Sequence, residues 1–225
     1  MHHPGMAAPQ RVPPVDRPRP VFSRLYARIS EGMDAEGLAA LRTELLAPLS
    51  GTVVEVGCGN GRNFARYPDA VTRVTAVEPE PHLRALATRA AAAAPVLVTV
   101  VPGTAEALPV PDATADAAVL CLVLCSLPDR DTALAEIARV LRPGGTLAFL
   151  EHGLGPTRRV RAVQRLADAT LWPLLAGGCH TAVDPVGLVE RAGFAVTALR
   201  RLRFPDSRVT LPATPHVLGL ARRPG

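Results

Sequence analysis

Three glycines at alternate positions, Gly57, Gly59 and Gly61, follow directly on a short apolar run, Thr52-Val53-Val54-Glu55-Val56. No other feature narrows the fold of this chain as much. Glycine lets a backbone turn tightly with positive φ and lets it come close to a ligand. In open α/β sheets a bend of this kind, behind a buried strand, is where ligands bind.

The rest of the chain alternates as such a sheet requires. Further apolar runs cover residues 74–77, 96–101, 115–123 and 146–150. Between them, residues 62–67, 81–94 and 131–141 carry helical patterns, and Pro143-Gly144-Gly145 stops the last. Residues 155–176 are one further helical stretch. Residues 194–204 and 217–221 read as two late strands joined by a loop holding Pro205, Pro212 and Pro215. Short buried strands alternating with helices predict a parallel sheet covered on both faces. Residues 21–49 predict two short helices, interrupted at Gly32 and Gly37. Residues 1–20 hold six prolines and predict a disordered arm.

Composition excludes several classes. The net charge is +5, and all 25 basic residues are Arg. They are scattered, and with 5 Phe, 2 Tyr and 1 Trp the chain offers no stacking surface, so no nucleic-acid partner is expected. No run of 18 apolar residues exists, so no spanning helix is expected. The start, Met1-His2-His3-Pro4-Gly5, lacks the apolar core of a signal peptide, and a cytoplasmic location is the expectation. The four cysteines, Cys58, Cys121, Cys125 and Cys179, form no CxxC pair and lack zinc-motif spacing. They read as reduced, buried thiols, with no metal expected.

Glu78 ends the second apolar run about 20 residues past the bend, where such folds place an acid on ribose hydroxyls. Bend and acid together imply an adenosine-containing ligand. A dinucleotide fingerprint would read G-x-G-x-x-G, but here the spacing is G-x-G-x-G, preceded by Glu55. In this the chain resembles the class I S-adenosylmethionine-dependent methyltransferases, whose first motif is E/D-x-G-x-G-x-G. Three more segments match in order: Val100 to Glu106 with Leu108-Pro109 and Pro111-Asp112, then Asp116 opening the fourth run, then Leu141-Arg142-Pro143-Gly144-Gly145.

The resemblance implies a Rossmann-like seven-stranded, mostly parallel sheet with helices on both faces and a C-terminal antiparallel hairpin. It implies one methyltransferase domain over 21–225, with a cofactor-binding core at 50–150 and a lid or insert helix at 153–182. The cofactor would be S-adenosylmethionine. Gly57, Cys58 and Gly59 would run beside its methionine part, with Asn63 in the same motif. Glu78 would hold the ribose, with Pro79 against adenine and His82 nearby. Thr104, Ala105 and Glu106 would flank the adenine ring. Cys121, Leu122 and Val123 would line the methyl-transfer mouth. Glu55 would either contact the cofactor or brace the bend through backbone N–H groups.

A narrower resemblance, to the small-molecule thiol methyltransferases of the membrane-associated methyltransferase-like group, rests on further segments. They are Val54 to Phe64 with Tyr67-Pro68, Leu122 to Ser126, Glu151-His152, Gly178-Cys179 and Pro215-His216. That group carries an apolar N-terminal anchor, which the Pro-rich arm here does not match. The implied reaction is methylation of a small lipophilic acceptor, foremost a thiol on a natural product or xenobiotic, in detoxification or self-protection. A thiol is partly ionised near neutral pH and needs little help from a base. His152, which follows the fifth strand, is the first candidate for a base, then His180 and His216. Cys125 is expected to be structural.

Along residues 155–176, Val160, Val163, Leu166, Leu171 and Leu174 share one helical face, away from most of Arg158, Arg159, Arg161 and Arg165. That stripe fits a core-facing helix, a lid, or a helix resting on a membrane surface. The rival readings are O-, N- or C-methylation of a metabolite, lipid or quinone, a nicotinamide-dependent oxidoreductase, and a non-catalytic module that only binds the cofactor.

Overall fold

The computed structural model describes residues 19–206 and 211–225. The predicted arm lies outside them except for its last two positions. There Pro20 opens helix α1 (Pro20–Met33) instead of ending an arm. Proline's fixed φ and missing N–H suit a first helical turn.

Seven strands form one sheet: β1 (Gly51–Val56), β2 (Val71–Val77), β3 (Leu97–Val101), β4 (Ala115–Cys121), β5 (Leu141–His152), β6 (Ala195–Arg203) and β7 (Pro215–Arg222). Their order is β3-β2-β1-β4-β5-β7-β6. The first five pair in parallel, and β7 runs antiparallel to both β5 and β6. The expected mostly parallel sheet with a terminal antiparallel hairpin is therefore present. Strand order reverses between β1 and β4, which opens a crevice at their C-terminal ends.

Alternation of side chains splits the core in two. On one face Val54, Val56, Leu120 and Phe149 meet α4 (Arg130–Val140) and α7 (Pro185–Arg191) through Leu134, Ile137 and Val189. On the other, Val53, Val119 and Ala148 meet α2 (Ala39–Leu46) and α3 (Pro81–Ala91) through Leu45, Leu46 and Ala87. Asp116 lies at the opposite end from the crevice. It accepts from the Thr52 N–H at 2.8 Å and pairs with Arg142, tying the starts of β1, β4 and β5 together.

Several local expectations change. Gly32 stays inside α1, and the break comes only at Gly37, whose φ of 118° ends the helical path before α2. No α-helix follows the glycine bend; residues 62–67 hold turns and one 3₁₀ turn, Phe64–Arg66. The stretch 155–176 divides into α5 (Arg158–Asp168) and the short α6 (Trp172–Leu175). α7 had no counterpart in the sequence reading. The largest change concerns the apolar stripe. Val163, Leu166, Leu171 and Leu174 are exposed, Leu174 at 80%, and the one buried residue of α5 is Gln164. The stripe does not face the core, because Gln164 takes that place: it donates to the Gly153, Thr181 and Pro212 carbonyls and accepts from the Gly155 N–H.

Candidate active site

A cavity of about 450 Å³ opens at the C-terminal ends of β1, β2 and β4. The glycine bend forms its floor. Gly57 has φ 67°, and a side chain there would meet Val123 at 2.9 Å, so only glycine lets β1 and β4 close on the crevice this tightly. Gly57 and Cys58 donate their N–H groups to the Val77 carbonyl at 2.8 and 3.1 Å.

Glu78 closes the opposite wall. Its Oε2 accepts from the Gly59 N–H at 2.7 Å and its Oε1 from the Glu80 N–H at 3.0 Å. The carboxyl is buried, which pushes its pKa up, against those two backbone hydrogen bonds. Each oxygen keeps a second lone pair for a hydroxyl. Glu80 then caps α3 by accepting from the Leu83 N–H at 2.7 Å.

Of the expected cofactor residues, Gly57, Gly59, Glu78, Pro79, Thr104, Ala105, Glu106, Leu122 and Val123 line this cavity. Buried polar atoms are nearly always paired. Yet Thr104 Oγ1 and Glu106 Oε1, both on this wall, are buried without a protein partner. Such orphans fit a ligand that brings its own donors and acceptors, as an adenosine does.

Glu55, Cys58, Asn63, His82 and Cys121 do not line the cavity. Glu55 braces the bend from beneath, through side chains instead of backbone N–H groups. It accepts from Asn63 Nδ2 at 2.9 Å and from the Tyr67 hydroxyl at 2.7 Å. Burial pushes its pKa up to about 7 against those two bonds. Asn63 in turn accepts from Arg42, a buried guanidinium that also reaches Asp34 at 2.9 Å and the Cys121 sulfur at 3.1 Å. Desolvation of the Cys121 thiol raises its pKa to about 11 despite the Arg42 charge. Cys58 is likewise pushed up by burial.

The roof was not foreseen. α1, expected ahead of the domain, lies across the cavity with Phe22 and Tyr26 in its lining. Their rings stack at 5.8 Å, and Tyr26 packs over Gly59. Burial raises the Tyr26 pKa to about 12. The Arg19 N–H reaches Glu80 Oε1 at 3.3 Å, and its guanidinium reaches the Gly177 carbonyl at 3.3 Å. Ser126, Leu127 and Pro128, behind β4, complete a mostly apolar mouth. The helical rhythm of residues 21–49 is visible in the sequence, but nothing local shows what the first of those helices covers.

None of the three candidate histidines lines the cavity. His180 is exposed, with Nδ1 2.9 Å from the Gly178 carbonyl. His216 is buried, its Nδ1 2.9 Å from the Thr214 carbonyl, and burial drops its pKa to about 3. His152 packs against it, the rings tilted by 54° with centroids 4.5 Å apart, and has Nδ1 3.0 Å from the Ala213 carbonyl. Cys125 and Cys179 lie beside His152. The Cys125 sulfur, and after it the His152 ring, holds the Cys179 thiol down at about 5, while Cys125 itself is pushed up.

Comparison with known proteins agrees with this geometry. A family model described as a methyltransferase domain matches residues 54–149. The human thiol S-methyltransferase TMT1A is 32% identical over 173 residues, 76% of this chain and 70% of the relative. The ubiquinone/menaquinone biosynthesis C-methyltransferase UbiE of Syntrophotalea carbinolica is 28% identical over 220 residues, 95% of this chain and 84% of that protein. A SAM-dependent methyltransferase from Thermotoga maritima superposes with a TM-score of 0.65 at 22% identity, covering 90% of this chain and 98% of that one. With a strand order that reverses over a glycine bend, an acid facing it, and a relative of this identity and coverage, the chain belongs to the class I S-adenosylmethionine-dependent methyltransferases.

Proposed function

We propose that the cavity binds S-adenosylmethionine and that the chain passes its methyl group to a small lipophilic acceptor, foremost a thiol. One observation carries the binding half: Glu78 faces the Gly59 N–H across the crevice while the unpaired Thr104 and Glu106 oxygens line the same cavity. In this reading Glu78 holds the ribose hydroxyls, Pro79 and Ala105 flank the adenine, and Gly57 and Gly59 leave room for the methionine part. When bound, the cofactor supplies a methyl group on a sulfonium, activated for in-line displacement.

The residues of the chain then have two tasks. Gly57, Leu122 and Val123 fix the donor against β4. Phe22, Tyr26 and Leu127 exclude water and give an acceptor apolar walls. No histidine lines the cavity among the described residues, and a thiol is the acceptor class that least needs a base. The relative TMT1A, a thiol S-methyltransferase by name, supports the same class. The C-methyltransferase relative spans more of the chain and keeps a quinone-type carbon acceptor as the second reading. The exposed Val163, Leu166, Leu171 and Leu174 beside exposed Arg158, Arg159 and Arg165 support contact with an anionic membrane surface, from which an apolar acceptor would be drawn. No helix among the described residues is long and apolar enough to cross a membrane.

The test is methyl transfer from labelled cofactor to a panel of alkyl and aryl thiols, phenols, amines and a quinol. Turnover on thiols at least tenfold above the rest supports the proposal. Turnover confined to the quinol moves the assignment to the second reading. Cofactor binding without transfer to any acceptor leaves only a binding module.

A further inference from the structure

Cys125, His152 and Cys179 come from three separate segments, the turn behind β4, the end of β5 and the loop behind α6. In sequence they share no metal-binding spacing. In the fold their donor atoms all lie within 4.8 Å of one another, and both cysteines are buried. We propose that these three side chains form a binding site for one Zn(II) ion, which fastens the Gly177–His180 loop to the ends of β4 and β5. The inference does not depend on which acceptor the enzyme methylates.

Four observations support it. First, two thiolates and an imidazole are a donor set that zinc takes, with a fourth position left for water. A tetrahedral ion with Zn–S near 2.3 Å and Zn–N near 2.0 Å needs donor atoms about 3.5–3.8 Å apart, so no pair has to close by more than about 1 Å on binding. Second, the His152 ring is already set for a metal. Its Nδ1 lies 3.0 Å from the Ala213 carbonyl, to which it donates as N–H, so Nε2 keeps its lone pair. A metal-bound histidine is held in this way by an outer partner.

Third, buried polar atoms around the cluster lack partners. They are Glu151 Oε2 and His216 Nε2. Glu151 is next to His152 in sequence and is 1% exposed. The His216 ring packs against His152 with centroids 4.5 Å apart. A metal-bound water would give the free Glu151 oxygen and the His216 acceptor nitrogen a donor. Fourth, the segments are already joined. The His180 N–H donates to the Cys125 carbonyl at 2.8 Å, and Gly177 lines the cavity under Phe22. The ion would therefore act through the loop as a positioning element for the cavity roof. Binding displaces to solvent whatever protons the two sulfurs still hold.

The experiment uses the full chain, reduced with a phosphine and freed of metal by a chelator. Zn(II) is titrated against a chromophoric competitor, and Co(II) is added in parallel. The proposal expects one ion per chain, a thiolate-to-Co(II) charge-transfer band of two-thiolate strength with tetrahedral d–d bands, and a Zn-dependent rise in Tm. Cys125→Ser, Cys179→Ser and His152→Ala should each lose more than the about 10- to 100-fold that removal of an outer partner costs. Cys58→Ser should keep the ion and the band. Circular dichroism shows which variants fold. If a ligand variant does not, the wild-type Co(II) spectrum and the Tm response decide alone. Absence of stoichiometric metal with no charge-transfer band overturns the proposal. So does retention of the band in folded Cys125→Ser and Cys179→Ser. So does a Cys125–Cys179 disulfide in the isolated chain together with failure of the reduced chain to take up metal.

Discussion

Glu55→Gln should change how stability depends on pH, by an amount that follows from burial. Glu55 is 2% exposed, and its pKa in the fold is about 7 against 4.5 in the ordinary carboxyl. Below 4.5 both states hold the proton and the group has no net effect. Between 4.5 and 7 the unfolded chain releases it while the folded chain keeps it, so stability falls as pH rises. Above 7 the full cost is present, on the order of 3 kcal/mol for such a shift. That is a large part of the roughly 5–15 kcal/mol a domain of this kind has. Arg42 acts against the shift and Glu78 with it, and both remain in the variant. Glu151, also pushed to about 7, remains as well, so the difference between the two proteins isolates Glu55. Glutamine keeps the shape, accepts from Asn63 and can donate to the Tyr67 oxygen. Urea denaturation of both proteins at pH 4.5, 6 and 8 measures the difference. The variant should gain on the wild type by about 3 kcal/mol across that range. A difference that does not move with pH would refute the placement of a buried carboxyl with a raised pKa under the glycine bend.

Two other perturbations have stated outcomes. Gly57→Ala puts a side chain at φ 67° and 2.9 Å from Val123; it should cost about 1–2 kcal/mol in denaturation and weaken cofactor uptake, and an unchanged protein would contradict the tight closure of β1 on β4. The exposed apolar residues of α5 and the turn behind it should pellet the chain with anionic vesicles at low salt, Leu166→Asp with Leu171→Asp should abolish this, and a chain that stays in the supernatant at every salt concentration removes the membrane reading.

The parts of this molecule that were legible in advance are those governed by local rules. Apolar runs and the Gly57–Gly61 spacing located the strands, the bend and Glu78, because strand burial and positive φ leave marks on neighbouring residues. Thr104 and Glu106 were found through the resemblance, and they do line the cavity. What could not be read depends on contacts across the chain. α1 showed its periodicity, but its place over the cavity is set by Phe22 packing on Gly177, 155 positions away. The stripe on α5 looked like a core face because periodicity records that apolar residues align, not what they meet. Gln164 decided the matter by satisfying four backbone groups at once. α7 did carry a signal, the pair Asp184-Pro185, in which Asp184 caps the Gly187 N–H at 3.2 Å and proline starts the turn. The Cys125, His152 and Cys179 cluster had no signal of spacing, since only the sheet brings its three segments together.

The central claim is that a glycine bend and one facing carboxylate hold the sugar of an activated methyl donor. Isothermal calorimetry of the purified chain with S-adenosylhomocysteine, and with NAD as a control, tests it most directly. The account predicts saturable one-site heat with the former and none with the latter. Glu78→Gln should weaken that binding about 10- to 100-fold, as loss of charged hydrogen bonds does. No heat from S-adenosylhomocysteine or S-adenosylmethionine, with tight uptake of NAD, or equal affinity in Glu78→Gln, would contradict it.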